Sequence, residues 1–121
     1  MLKKILVADD ERDIAQSVQI FLEQEGYQVA TASDGCEVLE CVARERPDAI
    51  ILDVMMPNMD GIEVLRRLKE NTETSSIPII MLSAKGQDED VTEGWRSGAD
   101  LYLRKPFVPV QLLAFIKLVL E

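Results

Sequence analysis

Three short apolar runs in this chain stop abruptly at polar residues. Ile5-Leu6-Val7-Ala8 is cut off by Asp9-Asp10, Ala49-Ile50-Ile51-Leu52 by Asp53, and Ile79-Ile80-Met81-Leu82 by Ser83. None of them alternates apolar with polar. A strand of that kind is buried on both faces, so it belongs in a parallel sheet covered on each side by helices. The stretches between are patterned accordingly. Asp10 to Gln24 carries Ile14, Val18, Phe21 and Leu22 at helical spacing, with Gly26 as the stop. Tyr27 to Ala32 is β-rich, and Asp34-Gly35 reads as a turn. Val38, Leu39 and Val42 pattern a second helix to Arg46, broken by Pro47-Asp48. Pro57 to Gly61 reads as a loop, and Asp60 is placed to N-cap a helix holding Ile62, Leu65 and Leu68. A polar, acidic helix is expected from about Asp88 to Ser97. Gly98-Ala99-Asp100 then turns into Leu101-Tyr102-Leu103, followed by Lys105-Pro106 and a last helix to Glu121.

Strand and helix therefore alternate five times. Right-handed crossovers and 121 residues predict one doubly wound, five-stranded α/β domain over residues 1–121, with no room for a second. No linker, repeat or low-complexity segment interrupts it.

Composition removes several classes of function. Acids outnumber bases 22 to 13, a net charge of −9, which argues against binding nucleic acid or an anionic membrane surface. The chain has no histidine, which excludes Cys/His zinc sites and Ser-His-Asp triads. Cys36 and Cys41 lie about 140° apart around a helix, so they cannot bridge within one. They read as two small apolar residues in a reducing cytoplasm. The apolar run after Met1-Leu2-Lys3-Lys4 is too short for a signal peptide, and nothing approaches the ~18 apolar residues of a membrane span.

Open parallel sheets collect function at the carboxyl ends of their strands. Asp9, Asp10 and Glu11 follow the first strand, Asp53 the third, Ser83 and Ala84 the fourth, and Arg104 and Lys105 the fifth. Each has an ordinary reading by itself: Asp10 as a helix cap, Asp53 as a loop-starting acid, Ser83 as a turn residue, Lys105 as a solvated charge. Together they mean more. Three carboxylates converging on one point repel one another unless a cation neutralises them. Oxygen donors without His or Cys point to a hard ion, Mg²⁺ before a transition metal. With Ser83 and Lys105 beside it, such an ion makes a seat for a phosphoryl group.

Those motifs in that order (Ile5 to Glu11, Asp53, Met56-Pro57-Asn58-Met59-Asp60-Gly61, Ser83-Ala84, Lys105-Pro106-Phe107) carry a resemblance over essentially all 121 residues. The chain resembles the receiver domain of two-component response regulators. The resemblance implies a flavodoxin-like sheet in the order 2-1-3-4-5 with five helices. It implies that Asp53 is the phosphoacceptor, that Asp10 and Asp53 ligate Mg²⁺ directly, that Asp9 acts through a water, and that the Met55 carbonyl is the third protein ligand. It also implies that Ser83 and Lys105 meet phosphoryl oxygens, that the Lys105–Pro106 bond is cis, and that Tyr102 is the switch aromatic. The function implied is a cytoplasmic signalling switch, not an enzyme beyond catalysing its own phosphorylation and dephosphorylation. Its phosphoryl donor would be a sensor histidine kinase or a histidine phosphotransfer protein. Its response would be a changed surface on the helix near 88–97, the fifth strand and the last helix, acting on an output domain or target.

Two other classes are disfavoured by particular residues. A flavodoxin-type flavin binder needs a loop that cradles phosphate after the first strand, and Asp9-Asp10-Glu11 would repel it. A Mg²⁺-dependent aspartyl phosphatase carries a second acid two residues after its nucleophile, where this chain has Met55. Lys85 and Met55 hold the positions thought to tune loss of the phosphoryl group in the family, and neither can orient a water, which predicts a long-lived phosphoryl state. Trp95, the sole tryptophan, is expected near the switching face. In the last helix, Leu112, Ile116 and Val119 form the stripe expected to face the sheet. Val110, Leu113, Ala114 and Leu118 are left near the open side. Gln111 and Phe115 stand where dimerising relatives use an acid and an arginine, so an apolar contact through Leu113 is expected, as a homodimer or target-docking face.

Overall fold

The computed structural model describes residues 2–83 and 98–120. The expected acidic helix at 88–97, with Trp95, Lys85 and Ala84, lies outside the described residues, as does Glu121. Five strands are present: β1 (Lys4–Ala8), β2 (Gln28–Ala32), β3 (Ala49–Asp53), β4 (Ile79–Ser83) and β5 (Leu101–Arg104). All neighbours pair in parallel, in the order β2-β1-β3-β4-β5. Among the described residues there are four helices: α1 (Arg12–Gln24), α2 (Gly35–Glu45), α3 (Gly61–Glu70) and α4 (Pro109–Leu120).

The unbroken apolar runs divide by the pleat into two cores. Leu6, Ala8, Ile50, Leu52, Ile79 and Met81 point to one face, where Val38 and Val42 of α2 and Leu65 and Leu68 of α3 cover them. Ile5, Val7, Ile51, Ile80, Leu82 and Leu103 point to the other, under Val18 and Leu22 of α1 and Leu112 and Ile116 of α4. Ile5 to Ala8 and Ile50 to Leu52 are fully buried, as a strand covered on both sides must be.

Helix boundaries follow local chemistry. Asp60 caps α3, its side chain accepting from Glu63 N at 2.9 Å, as expected. Asp34 caps α2 in the same way, accepting from Glu37 N at 2.8 Å. α2 stops at Glu45, one residue earlier than the periodicity suggests, because Arg46 turns left-handed with φ 48°. Asp10 does not cap α1: the helix begins at Arg12, and the cap position, Glu11, makes no side-chain cap bond. α4 starts with Pro109 at its first position, and the Gln111 side chain accepts from Val108 N at 3.1 Å. Leu112 and Ile116 are buried against the sheet as expected. Val119 and Leu113 are each half-buried at the edge of the same core, which corrects the expectation that Leu113 stands on the open side.

Candidate functional site

β1 and β3 are adjacent, and the register sets Ala8 opposite Leu52, so Asp9 and Asp53 leave the sheet side by side. Ser83 ends β4 opposite Arg104, and Lys105 follows directly. Asp9, Asp53 and Ser83 are the buried polar side chains among the described residues, at 1%, 4% and 2% exposure. Polar groups that far from water need partners.

Lys105 is the main one. Its Nζ donates to Asp9 Oδ2 at 3.0 Å and to Asp53 Oδ2 at 3.2 Å, with Glu11 Oε1 3.6 Å away. The remaining carboxylate oxygens take backbone donors: Asp9 Oδ1 from Glu11 N at 2.9 Å, and Asp53 Oδ1 from Met55 N at 3.3 Å. Lys105 is itself anchored, its N–H donating to the Ser83 carbonyl at 2.6 Å, and the Lys105–Pro106 bond is cis.

One lysine does not balance this site. Burial and the neighbouring Asp9 carboxylate push Asp53 up to about 7, against the opposing pull of Lys105. Burial works against the charge on Lys105. The hydrogen bond to Asp9 and the charges of Asp53 and Asp9 outweigh it, so the ammonium is held above its ordinary range. Asp10, exposed, completes the acidic group: Asp9, Asp10 and Asp53 each place a carboxylate oxygen within 4.8 Å of the others. Such a set can hold a metal ion. Its all-oxygen, high-charge chemistry fits a hard divalent cation.

The other expected residues fall at the same edge. Met55 projects its side chain outward at 57% exposure, leaving its backbone beside Asp53. Tyr102, in β5 opposite Met81, is half-buried against the core on the α2 and α3 side. Two further features lie around the acids. Glu11 completes the ring about Lys105. The loop after β3 is held by Gly61 and by a bond from Asn58 Nδ2 to Asp34 Oδ2 at 3.1 Å. The sequence marks Asp34-Gly35 as a turn and Asn58 as part of the loop motif from Met56 to Gly61, with nothing to join the two. A contact across 24 positions has no local signature.

Comparison with known proteins agrees with this geometry. Residues 5–117 match the response regulator receiver domain. The chain is 48% identical over 121 residues to the alkaline phosphatase synthesis transcriptional regulatory protein PhoP of Bacillus subtilis, covering all of this chain and 50% of PhoP. It is 43% identical over 117 residues to the DNA-binding response regulator MtrA of Mycobacterium tuberculosis strain H37Rv, covering 97% of this chain and 50% of MtrA. Among solved structures, the chemotaxis response regulator CheY4 of Vibrio cholerae matches with a TM-score of 0.92 at 38% identity, over 98% of this chain and 99% of CheY4. The receiver domain of NtrX from Brucella abortus matches with a TM-score of 0.90 at 31% identity, over 97% and 98% of the two chains. The chain belongs to the receiver-domain family of two-component response regulators, and is thus a signalling domain. It spans about half the length of the curated relatives it matches.

Proposed function

We propose that residues 1–121 form a single phosphoryl-accepting unit in which Asp53 is the phosphoacceptor. The observation that carries this is the buried Asp53 carboxylate, set among two further aspartates and bonded to Lys105 Nζ. Asp10 and Asp53 by their carboxylates, Met55 by its carbonyl and Asp9 through a water would hold Mg²⁺. That ion, when bound, supplies positive charge against the oxygens of the phosphoryl group.

The donor is a phosphohistidine on a sensor kinase or a histidine phosphotransfer protein, since these 121 residues contain no histidine. An Asp53 oxygen forms its bond to phosphorus as the phosphorus–nitrogen bond of the donor breaks. The electron pair leaves on the imidazole nitrogen, which then takes a proton. Lys105 turns from the carboxylates to a phosphoryl oxygen, and Ser83 donates its hydroxyl to another. Hydrolysis by water returns Asp53 and inorganic phosphate. The Met55 side chain offers that water no carboxylate or amide to hold it, so the phosphorylated form is long-lived.

The phosphoryl group carries roughly −1.5 to −2 of charge and takes the place of the single carboxylate charge of Asp53, so the strand ends gain about one negative charge at most. Ser83 shifts to bond it, Tyr102 turns inward into the space vacated, and the two bias β5 and α4 toward the active of two arrangements. α4 leaves Val110, Ala114 and Leu118 outward at four-residue spacing, with Val110 and Leu118 each 67% exposed. This stripe is the contact for a second copy of the chain in the phosphorylated state. The output is carried by an attached domain or separate target, and DNA is not met by this domain, whose net charge is −9. The reading places the domain in the cytoplasm. None of the described helices is long and apolar enough to cross a membrane.

The test is intact mass after incubation with acetyl phosphate. Wild type gains one phosphoryl group only when Mg²⁺ is present, and Asp53→Asn gains none. Labelling of Asp53→Asn to the wild-type level overturns the assignment.

A further inference from the structure

We infer that Asp34 and Asn58 are positioning residues for the cation seat: their side-chain bond straps the loop after β3, which carries the Met55 carbonyl, to the N-terminus of α2. The inference rests on the reading that Met55 belongs to that seat.

The loop has a fixed end, and its two methionines add a second hold: Met56 is buried and Met59 half-buried against the core, so only the polar tip is open to water. At the fixed end, Gly61 N donates to the Val54 carbonyl at 2.8 Å, closing residues 55–60 into a protruding turn. Pro57, Asn58 and Asp60 at its tip are exposed, and Asn58 is left-handed with φ 69°, a conformation asparagine tolerates. A polar tip that projects into water keeps a freedom there that the buried methionines do not remove.

The structure ties the tip down. Asn58 Nδ2 donates to Asp34 Oδ2 at 3.1 Å. Asp34 cannot swing to follow a moving loop, because its Oδ1 is committed to Glu37 N at 2.8 Å. α2 is fixed in turn by buried Val38, Cys41 and Val42. Beside the bond, Gly35 packs so closely on Met59 that a Cβ there would overlap the Met59 carbonyl and lie 2.6 Å from its Cβ. One aspartate thus joins a helix cap to a loop 24 positions away, and the close approach beside it leaves no room for slippage.

The consequence is preorganisation. A cation that draws on a loop carbonyl must bear the entropy of ordering that loop, unless the fold has already done so. Removing the strap leaves the aspartates on their strands and withdraws one of the loop's holds, so the Met55 carbonyl, flanked by buried Val54 and Met56, is less narrowly placed. Cation affinity falls while the fold survives.

The experiment titrates the full chain with MgCl₂ by calorimetry, with melting in EDTA confirming that each variant is folded. Asn58→Gly keeps the left-handed turn and removes the donor amide. Asp34→Ser keeps the helix cap and removes the second oxygen. Each weakens Mg²⁺ binding about three- to tenfold, the range of losing one positioning hydrogen bond. Combined, they cost no more than either alone, because both break one bond. The exchange Asp34→Asn with Asn58→Asp reverses the bond's direction at unchanged net charge and restores affinity to within about twofold. Wild-type affinity in the single variants, additive losses, or an exchanged pair as weak as the singles would overturn the strap. A wild type that binds no Mg²⁺ overturns the seat and the strap with it.

Discussion

Gly61 lies against the backbone of Asp53. A Cβ added to Gly61 would overlap the Asp53 carbonyl oxygen and come within 2.9 Å of the Val54 Cα. Both obstacles are main chain, so no side chain can rotate away. Gly61 here supplies close approach, and the first turn of α3 is set directly beneath the candidate phosphoacceptor. Gly61→Ala is expected to force the backbone apart at a cost of about 1–3 kcal/mol. It should also displace Asp53 and slow labelling by acetyl phosphate. Urea unfolding and intact mass read the two effects. A variant as stable as wild type would show that the contact relaxes without consequence.

Lys105 and a divalent cation are rivals for the same carboxylates. The ammonium bonds Asp9 and Asp53 at 3.0 and 3.2 Å, so an ion seated there must displace it or face its charge. Lys105→Met removes a like charge within a few ångströms. Near a protein surface that repulsion is large enough to predict Mg²⁺ binding about three- to tenfold tighter in the variant. Phosphorylation should nevertheless be slower, because the oxygen partner is gone. Calorimetry and labelling rates separate the two. Weaker Mg²⁺ binding would mean that the lysine orders the acids more than it competes for them.

How far the sequence reveals this molecule depends on the range of each interaction. Ile5-Leu6-Val7-Ala8 before Asp9 and Ala49-Ile50-Ile51-Leu52 before Asp53 announce buried parallel strands, because double burial needs no polar alternation. The strand ends then place Asp9, Asp53, Ser83 and Lys105 on one edge by topology alone. The pairing inside that edge is not visible. Nothing local says that Lys105 spans two carboxylates while Asp10 stays outside, since side-chain reach and burial settle it after folding. Leu113 illustrates the same limit. At about 100° per residue it falls near the open side of its helix, yet it is half-buried on the rim of the core. Periodicity gives a direction but not the width of the neighbouring surface.

The two cysteines should differ sharply as nucleophiles. Cys36 is exposed in the first turn of α2, whereas Cys41 is buried on the same helix. Burial pushes the Cys41 thiol above its ordinary value, and the charge of Arg44 only partly offsets this. A thiol raised by folding favours the native state below its unfolded value of 9.0 and loses that contribution as pH climbs through the folded value. At about pH 8, iodoacetamide is expected to modify Cys36 and spare Cys41, and strongly alkaline conditions should unfold the chain less readily in Cys41→Ala than its cavity alone would suggest. Equal modification of both cysteines in native protein would show that α2 opens locally.

The outward stripe of α4 tests the proposed contact between copies. Val110, Ala114 and Leu118 lie one helical turn apart, and Lys117 is the sole charged side chain on the described part of the helix. Leu118 is 67% exposed, so a charge there should cost the folded monomer little. Leu113 is unsuitable for the same purpose, because its contacts with the core mix stability into the result. Leu118→Asp would set like charges against each other across a two-fold contact and abolish it. Sedimentation with and without beryllofluoride, a mimic of the phosphoryl group, supplies the measurement. Wild type is expected to shift toward dimer with the mimic, and Leu118→Asp to stay monomeric with its melting temperature within about 2 °C of wild type. A wild type that remains monomeric with the mimic bound, or a variant that dimerises as wild type does, would place the contact elsewhere.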